Sequence, residues 1–288
     1  MGDPFAGLDT SWAKAAERRA VRANRFRRLG GLLRRRRRGG GSRGRRRLLL
    51  IGGIAAAAVV ASFGLSFLLK RGPFDGTPAE DYARGVAGIG LPAAAAVEGF
   101  TAGQVDDALR QVRAALVAAR LDPRMLTGHD PAALVALLAP QQRESVSGWF
   151  GDPRQHGFAT FVDPAARLDA DEEPRVRGTV TYNADTADGR PTLHVLTNFV
   201  WVYAFAGDGL AAPYAAVHDQ LRWDFPAGQG MWLGTGRWYV THMDCDALRH
   251  GLLSPMRQAK IKAGIQFKDP RDYLDAGHTM DVTNTCDG

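Results

Sequence analysis

One uninterrupted apolar run stands out in the pattern of hydrophobic and polar positions along the chain. Residues 48–69, LLLIGGIAAAAVVASFGLSFLL, contain neither a charged residue nor a proline, and basic residues flank the run on both sides. At about 1.5 Å per residue, a helix of this length measures roughly 33 Å, which is enough to cross a hydrocarbon core of about 30 Å. The pattern therefore predicts a single transmembrane helix.

Three other interpretations fit part of this run. A buried core helix is also apolar, but such helices rarely extend so far without a charge. A cleaved signal peptide would find small residues at Val59, Val60 and Ala61, yet the amino-terminal region is unusually long and the apolar run continues beyond that site. Arginines before leucines also resemble a twin-arginine export signal. An uncleaved signal anchor accounts best for the length and the flanks together.

Beyond the apolar run, the hydrophobic positions first follow a helical period. In residues 104–120 they recur every three or four positions, which predicts an amphipathic helix with Thr101 as its amino-terminal cap. Shorter helices are predicted at 132–139 and 141–150, where prolines mark the boundaries. The preceding segment, 70–100, is rich in Gly, Pro and Ala and is predicted to be a tether.

From about residue 155 the period changes to two, which is typical of β-strands. In residues 192–205 one face of the predicted strand carries Leu193, Val195, Thr197, Phe199, Trp201 and Tyr203. Short glycine-containing turns between such strands predict an antiparallel meander. The predicted strands are 155–162, 175–183, 192–205, 217–225 and 231–243, and the remaining 246–288 are predicted as a helix or loop followed by an irregular tail.

Two or three helices followed by long antiparallel strands rich in Trp and Tyr resemble the NTF2-like cone, in which a curved sheet wraps around the helices. The segments that carry this resemblance are QVDDALRQVRAAL, RPTLHVLTNFVWVYAF, AVHDQLRWDF and MWLGTGRWYVTHM. With 32 Arg residues against 5 Lys residues, the whole chain also resembles single-pass actinobacterial membrane proteins of unassigned function. The resemblance implies an α+β fold, one transmembrane helix plus an ectodomain of two or three helices packed on a curved antiparallel sheet, with an accessory or binding role rather than an enzymatic one.

Charge is divided unequally between the two sides of the apolar run. Residues 1–47 hold 16 Lys and Arg residues against 3 Asp and Glu residues, a net charge of +13, whereas residues 48–288 hold 21 basic and 27 acidic residues, a net charge of −6. Basic segments that flank a transmembrane helix stay in the cytoplasm, so the amino terminus is expected on the cytoplasmic side of the cell membrane. The predicted order is a largely disordered cytoplasmic arm (1–47), the transmembrane helix (48–69), an extracytoplasmic tether (70–100) and an α+β ectodomain (101–288).

The composition of each part indicates what it contacts. The basic arm attracts anionic lipid headgroups by about 1 kcal/mol per basic residue close to the membrane surface, and its pattern does not favour nucleic acid as a partner. Cys245 and Cys286 both lie beyond the apolar run. An even number of cysteines in an exported domain predicts a disulfide between them, with two free thiols as the alternative.

The candidate site residues are His, Asp and Trp side chains of the strand region. They are predicted to line a concave pocket of the cone, in which His and Asp would act as acid and base and Trp would contact a ligand. The densest run of metal-ligand residue types begins at His242, but its spacing matches no zinc pattern, so neither a metal nor a cofactor is predicted. No serine-nucleophile or phosphate-loop motif occurs, so no catalytic residue is assigned. The predicted pocket residues are His194, His218, Asp219, Asp224, Trp201, Trp223 and His242.

Three classes of function follow from these observations. The leading expectation is a membrane-anchored extracytoplasmic domain that acts as a protein-interaction or accessory module in a cell-envelope or secretion assembly, with an unidentified envelope protein as its partner. The second is an envelope domain that binds a small apolar or anionic ligand on the concave sheet face. The third is an envelope hydrolase, which requires His242 and Asp219 to approach one another across the pocket. Whether the chain is an enzyme stays open, and the lack of a catalytic motif favours a non-enzymatic role.

Overall fold

A computed structural model of the chain describes residues 72–152, 157–187, 189–207, 213–256, 272–282 and 286. The predicted basic arm and transmembrane helix lie outside these residues. In the part of the chain that the structure describes, no helix is both long and apolar enough to cross a membrane. The described residues form an α+β fold, as predicted, with helices packed on a five-stranded antiparallel sheet.

The sheet is an antiparallel meander whose strands lie side by side in chain order. On the central strand, Phe199 lies opposite Gly178 of one neighbouring strand and opposite Asp219 of the other. The predicted alternation of faces therefore extends across the sheet. The last four strands match four predicted ones, whereas the first is a two-residue strand within the segment predicted as a tether. The strands are β1 (Ala83–Arg84), β2 (Arg175–Ala187), β3 (Arg190–Ala204), β4 (Tyr214–Pro226) and β5 (Trp232–Thr241).

The strand predicted at 155–162 is wrong for its described part. Residues 157–162 form no regular strand, and Val162 makes only an isolated bridge with Leu253. The physical reason is that this segment bonds to the ends of helices instead of to a strand. The Thr160 N–H donates to the Ala119 carbonyl at 3.0 Å, and the Val162 N–H donates to the Leu126 carbonyl at 2.7 Å.

The longest helix begins where the sequence predicts it to begin. At its first turn the Gln104 N–H donates to Thr101 Oγ1, and the Thr101 N–H donates to Gln104 Oε1, a capping box that satisfies two backbone donors. Its apolar stripe includes Val105, Leu109 and Leu116, all fully buried. The helices are α1 (Ala102–Arg120), α2 (Pro123–Leu126), α3 (Ala132–Leu137), α4 (Pro140–Trp149) and α5 (Cys245–Arg249), and short 3-10 turns span Pro78–Asp81, Gly85–Gly88 and Asp272–Leu274.

The sheet face that packs against α1, called the inner face below, carries the main hydrophobic core. Trp201, Tyr203 and Trp223 are fully buried there, together with the apolar stripe of α1. Each aromatic side chain of this kind removes about 150–250 Å² from water, so their burial contributes strongly to the stability of the fold. The inner face corresponds to the concave face of the predicted cone.

The opposite, outer face of the sheet is half covered by the two ends of the described domain. Phe74 and Tyr82 from the predicted tether and Leu274 from the tail bury the outer side chains Val200 and Val202 of β3. The Tyr82 hydroxyl donates to the Leu274 carbonyl, which joins the two covering segments. Residues 72–82 and 272–278 are called the outer cover below.

The predicted disulfide is present. Cys245 at the start of α5 is bonded to Cys286 in the tail. Closing a loop of 41 residues stabilises a domain by about 4 kcal/mol on the chain-entropy model. The bond therefore restrains the carboxyl-terminal tail, which supplies part of the outer cover.

Gly178 and Gly148 provide a matched test of the packing between β2 and β3. A Cβ atom at Gly178 would collide with the Asn198 carbonyl and the Phe199 ring, whereas a Cβ atom at Gly148 in α4 would meet no atom within 4 Å. We expect Gly178→Ala to lower the free energy of unfolding by about 2 kcal/mol through overpacking. Gly148→Ala should leave it unchanged or raise it by about 0.5–1 kcal/mol through helix propensity. Chemical denaturation followed by tryptophan fluorescence measures both, and equal effects at the two positions would contradict this packing.

Candidate functional site

The seven predicted pocket residues do not share one pocket, because the strand alternation divides them between the two faces of the sheet. The side chains of Asp219, Trp201 and Trp223 lie on the inner face, in the main core. Those of His194 and Asp224 lie on the outer face, as do the remaining histidines described below. The sheet therefore separates an inner group from the outer residues, of which His194 and Asp224 contact each other.

The inner group is organised by a fully buried ion pair. Arg120, the last residue of α1, lies 2.8 Å from Asp219 Oδ2 through its Nη2 atom, and the side chains are 1% and 0% exposed. The Trp201 indole N–H donates to the same Asp219 oxygen at 3.0 Å. Arg120 Nη1 also donates to Thr160 Oγ1 at 2.9 Å, and Nη2 to the Gly157 carbonyl. Because the two charges are paired, neither is buried in the core without a partner.

Burial and pairing act in opposite directions on the Asp219 carboxyl. Burial raises the pKa of Asp219, and the charge of Arg120 and the hydrogen bond from Trp201 oppose that rise. Asp219 Oδ1 and Arg120 Nε have no hydrogen-bond partner in the described structure. A cavity of about 30 Å³ lies beside Arg120, between the 157–161 segment, β5 and the residues that follow α5. This volume has room for one or two water molecules.

The rest of the inner face is filled by its own side chains. The Trp223 indole N–H donates to Thr197 Oγ1 at 3.2 Å, and the Tyr203 hydroxyl donates to the Arg120 carbonyl at 3.1 Å. The polar tips of these aromatic residues are thus satisfied within the core. A cavity of about 30 Å³ is far smaller than the roughly 300–1,000 Å³ of a small-molecule site.

On the outer face, His194 bridges two carboxylates from the neighbouring strands. Its Nδ1 lies 2.6 Å from Asp224 Oδ1, and its Nε2 lies 3.1 Å from Asp185 Oδ1. Burial acts to lower the pKa of His194, but the hydrogen bonds to Asp224 and Asp185 outweigh it and the pKa is raised. Arg222 joins the group, with Nε 3.0 Å from Asp224 Oδ1. The cluster links β2, β3 and β4 through their side chains.

His218 lies under the outer cover in a chain of hydrogen bonds. Its Nε2 is 2.7 Å from Asn198 Oδ1 and its Nδ1 is 2.9 Å from the Tyr239 hydroxyl, which donates to the Tyr273 carbonyl at 3.1 Å. Burial, helped by the charge of His278, lowers the pKa of His218 to about 4. Asn198 Nδ2 donates to the Ala276 carbonyl, so this network holds the tail against the sheet.

His242 lies just after β5 and contacts neither of the two groups. It adopts a positive φ of 58°, and its ring lies 4.6 Å from that of Tyr214, with Nε2 3.1 Å from the Tyr214 hydroxyl. Burial lowers the pKa of His242 to about 4. Asp219 instead bonds to Arg120 and Trp201 on the inner face, so the structure does not bring His242 and Asp219 together.

The outer face that the cover leaves free forms an open groove of about 530 Å³. The groove crosses all four long strands in two rows, one formed by Thr181, Leu196 and Arg222 and one by Asn198, Gln220 and other polar residues. Leu196 is 43% exposed, and among the described residues it is the only large hydrophobic side chain that is exposed. The complete lining is Thr179, Thr181, Leu196, Thr197, Asn198, Gln220, Leu221, Arg222, Thr235, Gly236 and Arg237.

No cluster of three or more His, Cys, Asp and Glu side chains suited to a metal ion occurs within the described ranges. In the densest run of such residue types, Cys245 is occupied by its bond to Cys286. Asp244 caps α5 by accepting from the Asp246 N–H. These side chains therefore have structural roles.

Comparison with known proteins finds no match: no family model, no curated protein and no solved structure is similar to this chain.

The sequence analysis missed Arg120 and Asp185, two of the residues that organise these groups, although it included Asp219. Arg120 continues the apolar stripe of α1 four positions after Leu116, and Asp219 interrupts the apolar face of β4. Opposite charges that each interrupt an apolar face are a readable signal for a buried ion pair, because neither can be buried alone. Asp185 gives no comparable signal, since its contact with His194 depends on the strand register.

Removing Arg120 tests the buried ion pair. We expect Arg120→Met to lower the free energy of unfolding by about 3–5 kcal/mol, because it leaves Asp219 buried without its partner. The double variant Arg120→Met/Asp219→Leu should recover most of that loss, since both charges are then gone. Arg110→Met, at an exposed position of α1, is the matched control and should change stability by less than about 0.5 kcal/mol. If the double variant lost as much stability as Arg120→Met alone, the pairing of Arg120 with Asp219 would be contradicted.

The buried His218 predicts a loss of stability in mild acid. Its pKa of about 4 lies below the ordinary value of about 6.5, so the unfolded chain binds a proton first as pH falls, and stability decreases from pH 6.5 downward. We expect His218→Gln to reduce this slope by up to about 1.4 kcal/mol per pH unit between pH 6.5 and 5. His194 has a raised pKa, so its contribution to stability is present below about pH 6.5 and is lost as the pH rises above that value, and His194→Gln should remove this loss. Denaturation series at several pH values measure both slopes.

Proposed function

We propose that this chain is a membrane-anchored protein-interaction module, whose carboxyl-terminal domain is displayed outside the cell membrane and docks an envelope protein through the outer face of its sheet. The single observation that carries the proposal is the contrast between the two faces. The inner face is filled by Trp201, Tyr203 and Trp223, whereas the outer face keeps an open groove of about 530 Å³ centred on an exposed leucine.

The anchor in this proposal is the apolar run at 48–69, with the basic arm at 1–47 on the cytoplasmic side, where it contacts anionic lipid headgroups. The disulfide supports an oxidising location for the domain, because such bonds persist outside the cytoplasm. Helices packed on one face of a long antiparallel meander support the NTF2-like arrangement expected from the sequence. These features agree with a domain that is held at the membrane and faces outward.

The geometry gives less support to the other two functions. A small ligand on the inner face would need a cavity about ten times larger than the one beside Arg120. A hydrolase with His242 and Asp219 as a pair would need contact between residues that bond to different partners on opposite sides of the sheet. Neither function is therefore adopted here.

Site-specific photo-cross-linking in intact membranes tests the proposal. A photoreactive amino acid at position 196, in the groove, is expected to give a cross-linked product of defined mass with an envelope protein. The same amino acid at position 110, an exposed position of α1, is the matched control and should not give that product. Protease added to cells with an opened outer envelope should remove the domain from 72 onward and leave the arm protected. A domain that is inaccessible to protease, or identical products at both positions, would contradict the proposal.

A further inference from the structure

The groove on the outer face has a charge that differs from that of the domain around it. Its lining includes Arg222 and Arg237 but no carboxylate, whereas residues 48–288 together carry a net charge of −6. Arg237 is exposed and, among the described residues, bonds only to Gln220 Oε1, at 3.4 Å. Arg222 uses its Nε for Asp224, and no described residue bonds its two terminal nitrogens. The groove is thus a small basic patch on an acidic domain.

The positions of the apolar and basic side chains set the geometry of a partner. Leu196 on β3 lies directly opposite Arg222 on β4, whereas Arg237 on β5 lies opposite Gln220, two residues along β4 from Arg222. Since neighbouring strands are about 4.8 Å apart and two residues span about 6.6–7 Å along a strand, the backbone at the two arginines lies about 5 and 12 Å from the backbone at Leu196. Thr179 and Thr181 on β2 extend the lining with hydroxyl groups on the other side of Leu196. The apolar contact is therefore central and the positive charge lies to one side.

We infer that this groove binds an extended protein segment in which an apolar residue is followed, at steps of two residues, by carboxylates. In an extended chain, side chains on one face recur about every 6.6–7 Å. When the apolar residue of the partner contacts Leu196, the partner's acidic residue two positions later lies near Arg222. Its acidic residue four positions later lies near Arg237. Charge complementarity selects this partner over a basic or neutral one, and a central apolar contact with charged residues around it is typical of protein interfaces. The inference rests on the proposed function and specifies its partner.

Titration of the full-length chain in nanodiscs of neutral lipid with three blocked seven-residue peptides tests this inference. All three carry leucine at position two and differ at positions four and six, which hold aspartate, serine or lysine, with serine elsewhere. The reporter is the methyl resonance of Leu196, which lies in the groove itself. We expect the aspartate peptide to shift this resonance saturably, with about five- to tenfold higher affinity than the serine peptide at low salt, and the preference to weaken as salt is raised.

Variants of single arginines show which residue causes the preference for the aspartate peptide. Arg237→Glu should abolish it and Arg237→Gln should reduce it by about half on a logarithmic scale, while Arg110→Glu, an exposed arginine of α1, should leave it unchanged. Unchanged methyl spectra away from the groove show that the variants are folded. Equal affinity for the three peptides, or no shift at Leu196 with any of them, overturns the inference.

Three further outcomes distinguish a failure of this inference from a failure of the proposed function. A shift of Leu196 that depends on protein concentration without peptide would assign the groove to a second copy of the chain and would overturn the partner inferred above. Cross-linking through position 196 in membranes, without any preference for the aspartate peptide, would leave the proposed function standing and overturn only its acidic partner. Binding of the aspartate peptide without cross-linking in membranes would support the preference for an acidic segment and overturn the proposed function.

Discussion

The position of α1 on the sheet depends on one buried ion pair. Arg120 ends the helix, Asp219 lies in the middle of β4, and each is fully buried and bonded to the other. Because leaving either charge unpaired in the core costs several kcal/mol, a helix shifted by one turn or a strand shifted by one residue would be strongly disfavoured. Thr160 and Trp201 bond to the same pair, so the 157–162 segment and β3 are placed by the same constraint.

Once α1 is fixed over the inner face, the two faces of the sheet can no longer have equivalent functions. The large aromatic residues fill the space between helix and sheet, and the polar tips of Trp223 and Tyr203 are satisfied there by internal hydrogen bonds. A well-packed interior of this kind resists the entry of a ligand, because opening it would break the dense contacts that stabilise the fold. The groove on the outer face, by contrast, can be reached by another molecule without any rearrangement of the fold.

The periodicity of the sequence was sufficient for α1 and for the four long strands, and it correctly placed Trp201 and Tyr203 on one face of β3. The grouping of His194 with Trp201 in one pocket did not follow this alternation, because the two residues lie an odd number of positions apart on the same strand. Alternation does not tell, in addition, which helices and loops cover each face. That information lies in distant segments: Phe74 and Leu274 cover the outer face from opposite ends of the domain. The 155–162 segment was misassigned for a related reason, since its hydrogen bonds go to the ends of α1 and α2.

The edge of the groove is set by the outer cover, and Asn198 is the residue that belongs to both. Its Nδ2 donates to the Ala276 carbonyl of the tail and its Oδ1 is bonded to His218, while the same side chain lines the groove. Because both polar atoms already bond within the domain, Asn198 holds the cover in place and leaves Leu196, Arg237 and the terminal nitrogens of Arg222 for contact with the partner proposed above. The disulfide restrains the tail that supplies this contact, so the groove keeps its shape without help from a bound molecule.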